Sequence, residues 1–157
     1  MQPALKETPE VEKKIHTGRL EFVHRDFKHH RLWNIQAKKS YIHYSSQGKT
    51  KGVLYQAEGT LFENDQKACH FSADQVRVDQ FQNTLILEGH IHLMTEKNKI
   101  SLRADQVFWE GSNRRLKATG NVFIESPHYQ IGPSSELIAD TQLNQMGTPD
   151  TFQKSKS

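Results

Sequence analysis

The stretch Ala73-Asp74-Gln75-Val76 recurs 31 residues later as Ala104-Asp105-Gln106-Val107. A glycine follows each copy in the next apolar segment, as Gly89 and Gly120, again 31 residues apart. The upstream pair Glu58-Gly59 extends the same spacing by a further 30 residues. Self-similarity at a fixed period of this length is typical of stacked structural units. The sequence therefore predicts a chain built from repeated units.

Apolar and polar residues alternate through these units, which is the period of a β-strand. The clearest run has the inward set Leu85, Leu87, Gly89, Ile91 and Leu93. Such alternation predicts strands with one buried face and one solvated face. Ala73 and Val76 are three residues apart, yet both belong to the apolar set. A bulge or corner at Asp74-Gln75 would produce this change of parity.

Turn-forming residues separate the strands at intervals of about 8–15 residues. The breaks are Ser45-Ser46-Gln47-Gly48, Glu63-Asn64-Asp65, Gln82-Asn83, Glu96-Lys97-Asn98 and Gly111-Ser112-Asn113. No helix of ten or more residues is indicated, and short turns within 5–15 and near 134–140 are the helical candidates. The predicted fold class is all-β, an open antiparallel β-jelly roll or twisted sandwich of repeated strand units.

The length of 157 residues predicts one domain. We expect a polar N-terminal arm at 1–16, a single β domain at 17–152 and a disordered tail at 153–157. Cys69 is the only cysteine, so an intrachain disulfide is excluded. A chain of this size can bury a core without one.

The chain is mildly basic, with 21 Lys and Arg against 18 Asp and Glu. Such a surface attracts anionic partners, including lipid phosphates and nucleic acids. The basic residues are dispersed, so no nucleic-acid-binding tail is indicated. A nucleic-acid-binding β module, the remote alternative, would also need aromatic side chains on a basic face. Trp33, Tyr55, Phe71 and Trp109 fall instead on the predicted apolar stripe, and we expect no nucleic-acid partner.

Catalytic and metal-binding patterns are weak. No Gly-x-Ser-x-Gly elbow or phosphate-binding glycine loop is present. Asp74 and Asp105 recur at equivalent positions, which indicates a structural turn role. The pairs His29-His30 and His90-x-His92 lack the third and fourth ligands that a metal site needs. We expect no enzyme activity, no metal and no cofactor.

The recurring "ADQV…L.LEG.I.L" unit resembles the LptA/LptC superfamily, the periplasmic lipopolysaccharide-export proteins with a β-jelly-roll fold. The resemblance spans about Thr17 to Phe152. Within it, the segments Trp33–Lys39 and Val53–Gly59 resemble the LptC family in particular. The resemblance implies a periplasmic protein anchored to the inner membrane by an N-terminal helix, which this sequence lacks. A soluble bridge component of the LptA type is the alternative.

The resemblance also implies a function and partners. The protein would receive lipopolysaccharide from the inner-membrane Lpt transporter at its N-terminal edge. It would pass the lipid to an LptA-like jelly roll at its C-terminal edge, by edge-strand pairing. Head-to-tail self-association is the related expectation. The predicted partner edge lies within 114–125 and 136–146, with residues Leu116, Val122, Ile124, Leu137 and Ile138.

A lipid-binding groove is predicted along the apolar stripe. Exposing an acyl chain to water costs roughly 0.8 kcal/mol per methylene, so a carrier must offer an apolar interior. The same residues fit ordinary core packing, and as a group they can serve both roles. The smaller residues Ala57, Gly59, Gly89, Ala118 and Gly120 would either leave room for a guest or bend the strands. The predicted lining is Leu20, Phe22, Trp33, Ile35, Tyr55, Leu61, Phe71, Leu85, Leu87, Ile91, Leu93, Leu102, Trp109, Leu116, Val122 and Ile124.

Overall fold

The computed structural model describes residues 11–16, 19–46 and 50–148. All regular structure in these ranges is β, which confirms the predicted fold class. The strands are β1 (Val11–His16), β2 (Arg19–Arg25), β3 (Arg31–Tyr44), β4 (Thr50–Glu63), β5 (Gln66–Asp79), β6 (Thr84–Thr95), β7 (Ser101–Glu110), β8 (Arg115–Glu125), β9 (Gln130–Asp140) and β10 (Met146–Gly147).

Two predicted boundaries change. Residues 11–16, assigned from sequence to the polar arm, form β1 and pair with β2. The candidate helical turn near 134–140 is wrong, because this segment lies in β9. The rest of the predicted arm, residues 1–10, and the predicted tail at 153–157 lie outside the described residues.

The ten strands form one antiparallel sheet in sequence order, so each pairs only with its neighbours along the chain. The first and last strands of the described chain do not pair with each other, so the sheet is open. Every predicted break falls between two strands. In the tightest reversal, Asn64 and Asp65 have φ of 51° and 63°. Positive φ at both central residues matches the twist of the flanking strands, which explains the hairpin there.

A line of bulges crosses the sheet at mid-strand. The register shifts between Ser72 and Gln75 of β5, and between Arg103 and Gln106 of β7. On the strands between and beyond them, it shifts at Glu88/Ile91 and Thr119/Val122. Bulges bend a strand and increase its twist. Aligned over several strands, they form what we call the fold line of the sheet.

The sheet closes on itself across this fold line. A flat strand of the length of β5 would separate its ends by about 45 Å. Yet Gln80, just after the end of β5, lies 3.2 Å from His24, which belongs to the opposite end of the strands. The sheet therefore forms two facing layers. Layer 1 holds the strand halves near Trp33, Leu61 and Phe71, and layer 2 those near Leu54 and Leu87.

The predicted change of parity at Asp74-Gln75 is confirmed. Ala73 and Val76 are both buried although they are three residues apart, and the intervening Asp74 is exposed. The second copy repeats the pattern with Ala104 and Val107. Each bulge thus keeps the apolar side chains of one strand facing inward in both layers.

The core fills the space between the layers as one cluster. Cross-strand rows supply it, with Leu54, Val76, Leu87, Val107, Ala118 and Leu137 side by side in layer 2. Next to the fold line the inward residues are small, since Ala37, Ala57 and Ala73 are consecutive partners. The inner side of a fold has the least room, which accounts for alanine there.

The predicted alignment of Glu58-Gly59 with Glu88-Gly89 is wrong. Gly59 pairs with Phe71, which pairs with Leu93, so Gly59 takes the place of Leu93. The reason is the length of the bulge. Strand β4 changes parity at Gln56, whose φ is 49°, and uses one residue fewer than β6 uses at its own bulge.

Candidate functional site

The interior between the layers holds nearly all of the predicted lining. Tyr55 is the exception: its side chain is 39% exposed and lies on the outer face, so its assignment to the stripe is wrong. It pairs with Gln75, just past the parity change of β4. Leu20 is half-buried and packs against the core. The remaining members are buried, namely Phe22, Trp33, Ile35, Leu61, Phe71, Leu85, Leu87, Ile91, Leu93, Leu102, Trp109, Leu116, Val122 and Ile124.

The glycines of the predicted groove leave no space for a guest. A Cβ on Gly89 would lie 2.5 Å from Asp74 Oδ2, and one on Gly120 would lie 2.4 Å from Asp105 Oδ2. A Cβ on Gly59 would lie 2.4 Å from the backbone oxygen of Asn34. Each position is filled by a neighbouring group, so bending and close packing explain these glycines.

Both copies of the repeated motif form the same corner. The carboxylate of Asp74 lies over Gly89, and its Oδ2 is 2.7 Å from Nδ1 of His90. In the second copy, Asn121 Nδ2 donates a hydrogen bond of 3.1 Å to Asp105 Oδ2. Gly89 and Gly120 have φ of 82° and 80°, a region that favours glycine. The two aspartates therefore stabilise the bulges that make the fold line.

The glutamines of the motif bind one shared carboxylate. Gln75 Nε2 donates to Glu88 Oε1 and Gln106 Nε2 donates to Glu88 Oε2, both at 3.1 Å. Arg77 adds an ion pair to the same group at 3.2 Å. Glu88 thus ties β5, β6 and β7 together beside the fold line. These polar side chains act in folding, as the recurrence of the motif predicts for its aspartates.

Polar side chains bridge the two layers at the side opposite the fold line, which we call the mouth. Gln80 accepts a 2.7 Å hydrogen bond from the Thr50 backbone nitrogen and contacts His24. Gln142 Nε2 donates to Glu63 Oε1 at 2.8 Å. A third bridge joins the turn of Asn98 to the turn of Asn144 at 3.1 Å.

The strand edges differ from the prediction in one respect. Strand β8 pairs with both β7 and β9, so Leu116, Val122 and Ile124 are not edge residues. The C-terminal edge is formed by β9, which carries Leu137 and Ile138. In the described chain, β10 covers only Ala139 and Ile138 of that edge. Most of β9 therefore presents its outer backbone groups to solvent, beside the exposed side chain of Ile131.

The outer face of layer 2 carries an apolar row that the sequence analysis missed. Tyr41 pairs with Val53, and Ile86 pairs with Phe108, with Arg77 between them in register. Together with neighbouring side chains they line a shallow groove of about 450 Å³. Apolar residues at outward positions of alternating strands were the available signal, but the inward set dominates the pattern.

Among the described residues, no group of three or more His, Cys, Asp or Glu side chains converges as a metal site would require. Burial strongly raises the pKa of the Cys69 thiol, with the nearby Glu63 charge adding to the effect. The carboxylate of Asp74 raises the pKa of His90 through its hydrogen bond and its charge. The indole Nε1 of Trp109 is buried in the interior and has no hydrogen-bond acceptor.

No protein-family model and no curated protein matches this chain. In the part of the chain that the structure describes, no helix has the length and apolar character needed to cross a membrane.

Proposed function

We propose that this protein transports lipopolysaccharide across the periplasm in the manner of the LptC family, with its acyl chains held between the two layers of the folded sheet. The observation that carries the proposal is the apolar interior, which continues from β2 to the β9–β10 turn inside a sheet that is not closed. A continuous interior with two open ends suits a long apolar chain that passes from one protein to the next. In this proposal the protein is anchored to the inner membrane and does no chemistry on the lipid.

The interior is filled by its own side chains, so uptake requires the layers to separate. Phe71 and Leu87, one from each layer, belong to the same packed cluster. An acyl chain that entered would replace contacts between such residues with contacts to methylenes of similar polarity. Because each methylene removed from water contributes about 0.8 kcal/mol, a chain of a dozen carbons could offset the lost packing. The buried Trp109 donor would also gain an acceptor if an ester or hydroxyl oxygen came near it.

Transfer to a partner would use the open edge of β9. An antiparallel sheet ending in unpaired backbone groups accepts another strand without new side-chain chemistry. Pairing edge to edge with a similar jelly roll would make the two interiors continuous. The inner-membrane transporter would occupy the opposite edge, next to β1, and head-to-tail self-association would use the same two surfaces.

Photo-crosslinking from defined positions tests this proposal. Phe71→p-benzoylphenylalanine places the reactive ketone in the interior, where Phe71 is buried. The matched control is Phe108→p-benzoylphenylalanine on the outer face of layer 2. We expect purified lipopolysaccharide to crosslink to the interior position and not to the control. Both variants must first show the β-sheet circular dichroism and thermal transition of the unmodified protein.

Equal crosslinking at both positions would indicate adsorption to the surface. No crosslinking at position 71 in a folded variant would remove the interior as the lipid site. Binding of an oligonucleotide that weakens steeply with salt would instead favour the nucleic-acid alternative.

A further inference from the structure

We infer that the mouth is the portal through which an acyl chain enters the interior, and that three polar bridges form a latch that holds it closed. This inference rests on the proposed function. The latch consists of His24, Glu63 and Asn98 on layer 1 and Gln80, Gln142 and Asn144 on layer 2.

The location of the bridges supports a latch. The fold line is continuous backbone, since every strand from β4 to β8 runs from one layer into the other. The mouth has no such covalent connection. Glu63 ends β4, whereas Gln142 follows the end of β9, and the register places these two ends on opposite sides of the sheet. Separation of the layers at the mouth would therefore break side-chain bridges and leave the backbone ladders intact.

The chemistry of the bridges makes them reversible. The contact of Asn98 with Asn144 joins two neutral amides on exposed turns, and Gln142 is also neutral. Neutral hydrogen bonds near solvent contribute modestly, because water replaces them on opening; each corresponds to a factor of about five in an equilibrium. The Gln80 bridge is more protected, since Thr50, His24 and Gln80 are all buried. Opening is thus expected to begin at the exposed bridges.

The native cysteine reports on this opening. Cys69 is buried in layer 1, paired with Leu61 and Thr95 close to the mouth, and it is the only thiol in the chain. A water-soluble thiol reagent can reach it only when the layers part or the protein unfolds. The two routes differ in their dependence on urea, because the slope measures the surface exposed. Mouth opening should give a shallow dependence at low urea, and global unfolding a steep one.

The test compares two variants of one turn. Gln142→Ala combined with Asn144→Ala removes two bridges, and neither residue adds or removes a charge near Cys69. Gln145→Ala is the matched control, since its hydrogen bond to Asp140 comes from its backbone nitrogen. We expect the double variant to label Cys69 about 20-fold faster than the unmodified protein, with the same shallow urea dependence. The control should label at the unmodified rate.

Lipid uptake supplies the second readout, measured as the rate of lipopolysaccharide crosslinking at position 71. The portal predicts faster uptake in the double variant. Unchanged labelling, or labelling with the full urea dependence of global unfolding, would overturn the latch. Faster labelling without faster uptake would overturn the portal while leaving lipid binding intact. If the unmodified protein never crosslinks lipid at this position, the proposed function fails whatever the labelling rates are.

Discussion

At the scale of single residues, the repeated motif encodes a corner. Its alanine fits the narrow inner side of the fold, its aspartate covers the glycine of the next strand, and its glutamine binds Glu88. The two corners differ at one position, where His90 in the first copy corresponds to Asn121 in the second. Both side chains contact the aspartate from a residue with positive φ. A histidine and an asparagine therefore perform the same task with different charge.

This difference predicts a pH-dependent contribution from His90. Its hydrogen bond with Asp74, and then the charge of that carboxylate, raise the pKa of His90 in the folded state. A raised folded pKa means that the pair stabilises the protein below the unfolded pKa, and that the gain is lost as the pH rises through the folded pKa. His90→Asn, which copies the second corner, should lower the Tm at about pH 5 and leave it unchanged at about pH 9. Thermal denaturation at both pH values measures this, and an equal loss at both would exclude the ion pair.

At the scale of the strand, the sequence predicted where each element turns and which residues face inward. Alternation identified the inward set, because one face of each strand is buried. It failed at Tyr55 and Gly59, because the parity change of β4 occupies two residues where that of β6 occupies three. Local pattern does not reveal the length of a bulge, which depends on the pairing of neighbouring strands. The mouth was also not predictable, since its bridges join residues such as Glu63 and Gln142 that are far apart in sequence.

The strand bulges are expected to be intolerant of added side chains. Gly120→Ala places a Cβ at 2.4 Å from Asp105 Oδ2, at a residue whose φ is 80°. We expect it to destabilise the protein by about 1–3 kcal/mol. Its neighbour Asn121 also has positive φ, of 48°, and Asn121→Gly relieves backbone strain while losing one exposed hydrogen bond. That change should stay within about 0.5 kcal/mol. Urea denaturation of the two variants measures both, and a neutral Gly120→Ala would show that the bulge does not need glycine.

At the scale of the whole molecule, one open sheet makes a two-layered body with a continuous fold line, a bridged mouth and two strand edges. Its interior is both the core that stabilises the fold and the proposed place for acyl chains. These roles compete, because each side chain moved aside for a guest must regain its contacts from that guest. A latch of modest strength at the mouth would let the closed form persist without lipid and open when a chain replaces the packing.

The two tryptophans allow the most direct measurement of this competition. Trp33 lies in layer 1 and Trp109 in layer 2; both are 2% exposed and they are the only tryptophans of the chain. A single-chain phospholipid brominated on its acyl chain should quench their fluorescence on binding, whereas its unbrominated form should not. Iodide in the aqueous phase should quench neither tryptophan before or after binding. Binding of the brominated lipid without quenching would contradict the interior site and place the lipid on the outside of the sheet.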